Sequence, residues 1–127
     1  MKTLNVGIAT YEEMKARTLA IAKGEIKPKA GDPQVWFPST ESFAKLLSSR
    51  NRALLQQIRT DQPESINALA TATGRTSGNL SRTLRTMERY GLVQLHRGAR
   101  GMVRPEVPYG DVQLTMQISG KYVSAHK

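Results

Sequence analysis

The segment from Ser65 to Arg104 restricts the fold of this chain more than any other part of its 127 residues. It contains a short apolar helical pattern, a glycine at Gly74, a longer helical pattern and two short β-type runs around a turn rich in Arg and Gly. Two helices separated by a glycine turn and followed by a hairpin are typical of a helix-turn-helix with a wing. The segment therefore predicts an α+β fold, mainly α with a small β content, built around a winged helix-turn-helix.

The second helix of this segment, predicted at residues 76–90, has two chemically different faces. At about 100° per residue, Leu80, Leu84 and Met87 share one narrow stripe that we expect to face the core. The opposite stripe and its flanks carry glycine, amide, hydroxyl and guanidinium groups: Gly78, Asn79, Ser81, Arg82, Arg85, Thr86 and Arg89. A hydroxyl of Thr76 or Ser77 is expected to cap the start of the helix.

The polar face of this helix is suited to double-stranded DNA. In the major groove, arginine pairs with guanine, asparagine pairs with adenine, and hydroxyl groups reach bases or phosphates. We therefore predict the DNA-binding residues to be Ser77, Gly78, Asn79, Ser81, Arg82, Arg85, Arg97 and Arg100. Arg82 ranks highest among them. Residues predicted as phosphate contacts are Ser65, Arg75, Thr76, Arg89 and Arg104.

The wing is predicted at residues 92–104, with its turn at residues 96–101. Apolar residues begin the first strand and return in the second: Leu92, Val93, Leu95, Met102 and Val103. Arg97 and Arg100 then lie on a glycine-containing turn, from which they can reach a flanking phosphate backbone or the minor groove. His96 is interpreted as an exposed loop histidine.

The run NLSRTLRTMERYGLVQLHRGARG resembles the recognition helix and wing of MarR-type winged helix-turn-helix transcriptional regulators. The resemblance rests on a Ser-Arg-x-Leu core followed by Gly-Leu-Val, and it covers about residues 50–105. With VWFPSTESFAKLLSSRNRALL and a C-terminal strand, the chain also resembles a group of small bacterial and archaeal DNA-binding regulators, often carried by plasmids or mobile elements. These resemblances imply a winged-helix fold and a role in regulating transcription. No small-molecule ligand is carried over from the resemblance, because this chain lacks the long terminal dimerisation helices of MarR-type proteins.

The charge of the chain supports the same interpretation. Its formal net charge is +9, from 19 Lys or Arg and 10 Asp or Glu. Between Arg75 and Arg104, seven arginines stand against the single acid Glu88. A basic charge alone would fit RNA or a membrane surface equally well, but its coincidence with a helix-turn-helix favours a nucleic-acid duplex.

Other classes of function find no support in the sequence. Cysteine is absent and the only histidines are His96 and His126, so we predict no metal site and no cofactor. No Gly-rich phosphate loop, G-x-S-x-G motif or carboxylate pair is present, and we therefore assign no catalytic residue and predict that the protein is not an enzyme. The sequence has neither an apolar run long enough for a membrane span nor a signal peptide, which predicts a cytoplasmic protein without membrane contact.

We expect three parts along the chain: an N-terminal strand-helix arm and linker at residues 1–33, the winged helix-turn-helix at 34–107, and a C-terminal strand and tail at 108–127. In the arm, a strand from residue 3 to residue 9 leads into a helix that a capping box of Thr10 and Glu13 opens. The C-terminal strand is predicted at residues 112–118 and a frayed tail at 120–127. The first strand and the C-terminal strand are each too short to stand alone, so we expect them to pair, within one chain or across a dimer.

Two features between the arm and the helix-turn-helix leave alternatives open. Residues 35–37 are predicted to form a short apolar strand that can pair with the wing. Trp36 is interpreted as a core anchor rather than a base-stacking platform. Residues 40–58 have a helical apolar pattern that polar residues interrupt at 48–51, which predicts either a break or one long helix with a polar patch.

The function that these features predict is sequence-specific binding of double-stranded DNA by a homodimer that regulates transcription, most simply as a repressor that blocks a promoter. The dimer is expected to form through the terminal segments, because readers of this class commonly bind two half-sites. One alternative is an antitoxin-like interaction module whose termini bind a toxin-like partner protein and whose DNA binding is autoregulatory. Another is an RNA-binding winged helix.

Overall fold

The computed structural model describes residues 2–118, so the tail predicted at residues 120–127 lies outside the described residues. In chain order the elements are β1 Thr3–Ile8, α1 Tyr11–Ala22, β2 Val35–Phe37, α2 Thr40–Leu46, α3 Ser49–Asp61, α4 Ile66–Thr73, α5 Ser77–Arg89, β3 Gln94–Arg97, β4 Val103–Glu106 and β5 Asp111–Thr115. They form two compact units, which we call the winged unit (residue 2 and residues 45–110) and the sheet unit (residues 3–44 and from 111 onward). Within residues 2–118, no helix has the length and apolar character that a membrane span requires.

The winged unit begins with three short helices whose limits follow from local chemistry. The hydroxyls of Ser48, Ser65 and Thr76 each accept a hydrogen bond from the backbone N–H three residues later, which caps α3, α4 and α5. Gly74 has a φ of 76° and makes the left-handed turn between α4 and α5. These features confirm the predicted helix-turn-helix. The cap at Ser48 also shows that the helical pattern of residues 40–58 is broken, not continuous.

The core of the winged unit is built on the stripe predicted for α5. Leu80, Leu84 and Met87 are all 0% exposed. Their buried neighbours come from α3, α4 and the wing: Leu54, Ile58, Leu69, Leu92, Val93, Leu95 and Pro105. Because the apolar stripe of α5 is fully covered, its opposite stripe is the one left to solvent.

The wing is an antiparallel hairpin of β3 and β4 that differs in detail from the prediction. β3 extends through Arg97, which lies opposite Val103, so the turn begins at Gly98 and not at His96. Pro105 follows the predicted wing, but in the structure it lies inside β4, opposite Leu95, and is buried. A proline fits here because β4 pairs with β3 alone in the described sheet, and an edge strand has one side on which no N–H is needed.

The sheet unit contains three parallel strands in the order β2-β1-β5. The first strand and the C-terminal strand pair within the chain, with Leu4 opposite Val112. The predicted pairing of residues 35–37 with the wing is wrong: β2 pairs with β1, and Val6 lies opposite Val35. A parallel neighbour requires a long crossover, which α1 and the linker after it supply.

The C-terminal strand is shorter than the alternation of residues 112–118 predicts. β5 ends at Thr115, and the two apolar side chains beyond it, Met116 and Ile118, are exposed. The reason is that β1, the partner of β5, ends at Ile8 and Thr115 already lies opposite Gly7. The alternating apolar pattern continues to residue 118, but β1, the strand that would pair with it, ends at Ile8.

One local prediction in the sheet unit is confirmed, and a second holds only in part. The capping box at the start of α1 is present, with Thr10 and Glu13 each accepting from the other's backbone N–H. Trp36 is half-buried and not part of the core, but its ring packs on Gly7, where a Cβ atom would lie only 2.5 Å from ring carbon Cζ3. A residue with a side chain at position 7 would therefore push the indole ring away from β1.

Candidate nucleic-acid interface

The exposed face of α5 carries three arginines whose side chains differ in their internal contacts. The Arg82 guanidinium has no hydrogen-bond or ion-pair partner in the part of the chain that the structure describes. By contrast, Nε of Arg85 donates to the Ser81 carbonyl at 3.3 Å, and Nη2 of Arg89 donates to the Thr86 hydroxyl at 3.4 Å. Arg82 therefore has all of its donors available to an external acceptor.

The first residues of α5 connect the helix to α4 and leave an open surface. The Ser77 hydroxyl donates to Oδ1 of Asn67 at 2.8 Å, and the Thr76 hydroxyl caps the helix. Gly78 is exposed, and a Cβ atom built on it would meet nothing within 4 Å. No internal packing thus requires a glycine at this position.

Asn79 and Ser81 lie closer to the protein interior than their predicted role suggests. Both residues are half-buried, and the Asn79 side-chain oxygen Oδ1 is enclosed without a hydrogen-bond partner within residues 2–118. An unsatisfied buried oxygen costs about 1–3 kcal/mol. Contact of Asn79 with a base stays a prediction, and it requires the side chain to rotate outward.

The two predicted wing arginines occupy different environments. Nη1 and Nη2 of Arg97 each lie 3.3 Å from a carboxylate oxygen of Glu88, which forms a two-pronged ion pair between β3 and α5. Arg100 is exposed at the tip, in a left-handed conformation with a φ of 59°, and has no partner among the described residues. Arg100 is therefore free at the wing tip, whereas Arg97 anchors the wing to the helix.

A second pair links the wing strands to each other. Nε2 of His96 lies 2.7 Å from a carboxylate oxygen of Glu106, and both side chains are nearly half exposed. Arg104 is exposed on β4, where it lies opposite His96. Neither carboxylate is predicted from the sequence as a partner of the wing, although Glu88 stands out as the single acid in a run of arginines.

The phosphate-contact residues predicted at the start of the helix-turn-helix have internal roles. Nη2 of Arg75 donates to Oδ1 of Asn51 at 3.1 Å and lies 3.5 Å from the carbonyl of Arg50. Burial lowers the pKa of the Arg75 guanidinium below its ordinary value, and the positive charge of Arg50 lowers it further. Arg75 thus joins the turn to α3, while Ser65 caps α4.

The positive charge of the protein is concentrated in the winged unit. Residues 45–110 contain eleven Lys or Arg and four Asp or Glu, which gives +7 of the total +9. Two of those four acids, Glu88 and Glu106, pair with wing residues. Glu88 is the single acid of α5, and its carboxylate is paired with Arg97.

No curated protein matches this chain. Among solved structures it is similar to MepR, a transcription regulator of the Staphylococcus aureus multidrug efflux pump MepA, with 19% identity, coverage of 91% of this chain and 73% of that chain, and a TM-score of 0.43. A similarity this low does not transfer the function of MepR to this chain. The model of the HVO_A0114 family matches residues 46–114, more than half of the chain including the helix-turn-helix and the wing, and the chain therefore belongs to the HVO_A0114 family.

Proposed function

We propose that this protein binds double-stranded DNA in a sequence-specific manner and represses transcription by covering a promoter. The observation that carries the proposal is the environment of Arg82, which is exposed on α5 opposite the buried stripe and has no partner within residues 2–118. An α-helix fits the major groove, where arginine donates to both acceptors of guanine. Arg82 can make that contact without breaking an internal hydrogen bond.

The surroundings of Arg82 support the same mode of binding. Gly78, one turn earlier on α5, faces open space, so the helix backbone can approach a groove wall closely there. Arg85 and Arg89 continue the basic face toward the C-terminal end of α5, and Arg100 extends from the wing tip. In this arrangement α5 reads bases while the wing contacts the adjacent backbone or minor groove.

We also propose that the protein acts as a homodimer formed by its sheet unit. Of the five large apolar side chains that are strongly exposed within residues 2–118, four belong to the sheet unit: Tyr11, Leu19, Met116 and Ile118. Exposed apolar side chains on the terminal segments favour association with a second copy. A dimer would present two recognition helices to two half-sites, because one groove contact specifies only a short sequence.

The proposal is tested by selecting bound fragments from a genomic DNA pool at roughly physiological salt, where nonspecific phosphate binding is weak. We expect enrichment of a palindromic site and sedimentation of the protein as a dimer. Binding without enrichment that disappears as salt rises would show a nonspecific basic surface. Preference for double-stranded RNA over DNA of the same sequence would instead establish RNA binding, and either result contradicts the proposal.

The Arg97–Glu88 ion pair joins the wing to α5. We therefore predict that Arg97 acts in DNA binding by positioning the wing. We expect Glu88→Gln and Arg97→Gln to weaken DNA binding to similar extents, and the double variant to be no weaker than either one. The pair is partly exposed, so the loss of folding stability should stay below about 1 kcal/mol. DNA affinities measured for the four proteins form a double-mutant cycle.

The same cycle separates positioning from direct contact. If Arg97 contacts DNA itself, Glu88→Gln would release it and strengthen DNA binding, whereas Arg97→Gln would weaken it. Opposite signs for the two single variants would therefore contradict a positioning role. Gln113→Ala in the sheet unit, at an exposed position on β5, serves as the control.

A further inference from the structure

The sheet unit contains a cavity of about 170 Å³ that DNA binding does not explain. It is bounded by α1, the linker between α1 and β2, β2 itself and the end of β5. Its wall combines three cations, one carboxylate and apolar surface: Arg17, Lys27, Lys29, Asp32, Ile26 and Trp36. We call it the Arg17 cavity. Three positive charges against one negative charge give the wall a net positive charge.

Arg17 is the most buried of the three cations in the wall of this cavity. Its side chain is only 12% exposed, and Nη2 donates to Oδ2 of Asp32 at 3.3 Å. That is its only hydrogen bond within the described part of the chain. Because a guanidinium carries five N–H donors, four remain without an acceptor from residues 2–118. A largely buried cation with unused donors favours an additional acceptor.

The position of Arg17 is held from two sides. Its Cζ atom lies 5.4 Å from the centroid of the Trp36 ring, at a distance suited to a cation–π contact. Oδ2 of Asp32 also accepts the backbone N–H of Lys29 at 2.7 Å, so the carboxylate is engaged by the linker as well. Arg17 is therefore pre-oriented, and part of its donor edge is not used by Asp32.

We propose that the Arg17 cavity binds a small organic carboxylate. The planar fork of arginine matches the two oxygens of a carboxylate better than it matches a neutral acceptor. Trp36, Ile26 and Pro33 supply apolar surface for the carbon body of such a ligand, and exposed Lys27 and Lys29 attract its charge. At about 170 Å³, the cavity has room for a small ligand such as a short-chain carboxylate.

This site lies outside the proposed DNA-binding surface, and its test does not depend on DNA. Trp36 is the only tryptophan of the chain, so intrinsic fluorescence reports on the cavity wall directly. The probe is sodium butyrate, with butyramide as its neutral counterpart of nearly equal shape and sodium chloride as the control for ionic strength. We expect a saturable fluorescence change and a higher melting temperature with butyrate alone.

Variants of the full-length protein locate the binding. Arg17→Lys keeps the charge but removes the planar fork, and we expect it to weaken butyrate binding by about tenfold. Lys15→Ala is the matched control, because Lys15 is exposed on the same helix and does not line the cavity. If Arg17→Lys fails to fold, the double variant Lys27→Ala/Lys29→Ala replaces it, and weaker butyrate binding by that variant is the expected result.

Several outcomes would overturn the proposal. They are an equal response to butyramide, an unchanged affinity in a folded Arg17→Lys variant, and the absence of both a saturable signal and a rise in melting temperature with butyrate. Tighter binding of inorganic phosphate than of butyrate would likewise contradict the proposal, because it would show that the cations of the cavity attract anions in general. Failure to select a DNA site would leave the fluorescence result unaffected, so the two proposals can fail separately.

Discussion

An Arg82→Ala variant is expected to lose most of its preference for the selected DNA site over unrelated DNA while remaining folded. Arg82 is exposed and has no internal partner within residues 2–118, so its removal breaks no hydrogen bond of the described structure. Each arginine contact with a guanine is worth about 1–3 kcal/mol of discrimination. Competition binding with the selected site and a scrambled site, at one fixed salt concentration, measures the change.

Arg89→Ala is the matched control for this prediction. Arg89 lies on the same face of α5, at its C-terminal end, where a contact with phosphate is expected. Its replacement should weaken binding to both DNAs equally and reduce the slope of log affinity against log salt by about one. If Arg82→Ala also weakened both DNAs equally, Arg82 would be a backbone contact and not a reader of bases.

Met87→Ala is expected to produce the largest loss of folding stability among the changes considered. Met87 is 0% exposed, in the stripe of α5 that closes the core of the winged unit. Truncation of such a residue to alanine costs about 2–5 kcal/mol, because it removes apolar contacts and leaves a cavity. Total stabilities of about 5–15 kcal/mol make this a large fraction of the folding free energy. Urea denaturation at constant temperature measures the change.

The chain offers the same substitution at an exposed position. Met102 precedes β4 in the wing and is 49% exposed, so Met102→Ala should change the free energy of unfolding by less than about 0.5 kcal/mol. Equal destabilisation by the two variants would mean that Met87 does not close the core. Arg82 lies on the opposite face of the same helix. Met87→Ala should therefore also weaken DNA binding under conditions in which a measurable fraction of the variant is unfolded.

Features that depend on neighbours within about four positions follow from local sequence. Thr76 caps α5 because its hydroxyl reaches the backbone N–H three residues later. Gly74 marks the turn because glycine adopts positive φ without a steric penalty. The spacing of Leu80 and Leu84 likewise predicts which face of α5 is buried, since i and i+4 share one side of a helix.

Contacts between residues far apart in the chain depend on how the elements are arranged in three dimensions. The two terminal strands pair as expected, but the fold sets their register and places the pair within one chain, with Leu4 opposite Val112. It also pairs β2 with β1 instead of the wing, and it brings Arg17 to Asp32 beside a cavity that no motif predicts. The partners of Arg75 and Arg97 also come from other elements, which assigns internal roles to two arginines that a basic run presents as equivalent. Such contacts depend on strand order and on the path of the linkers. Periodicity predicts which side of an element is buried, but it carries no information about which element will cover that side.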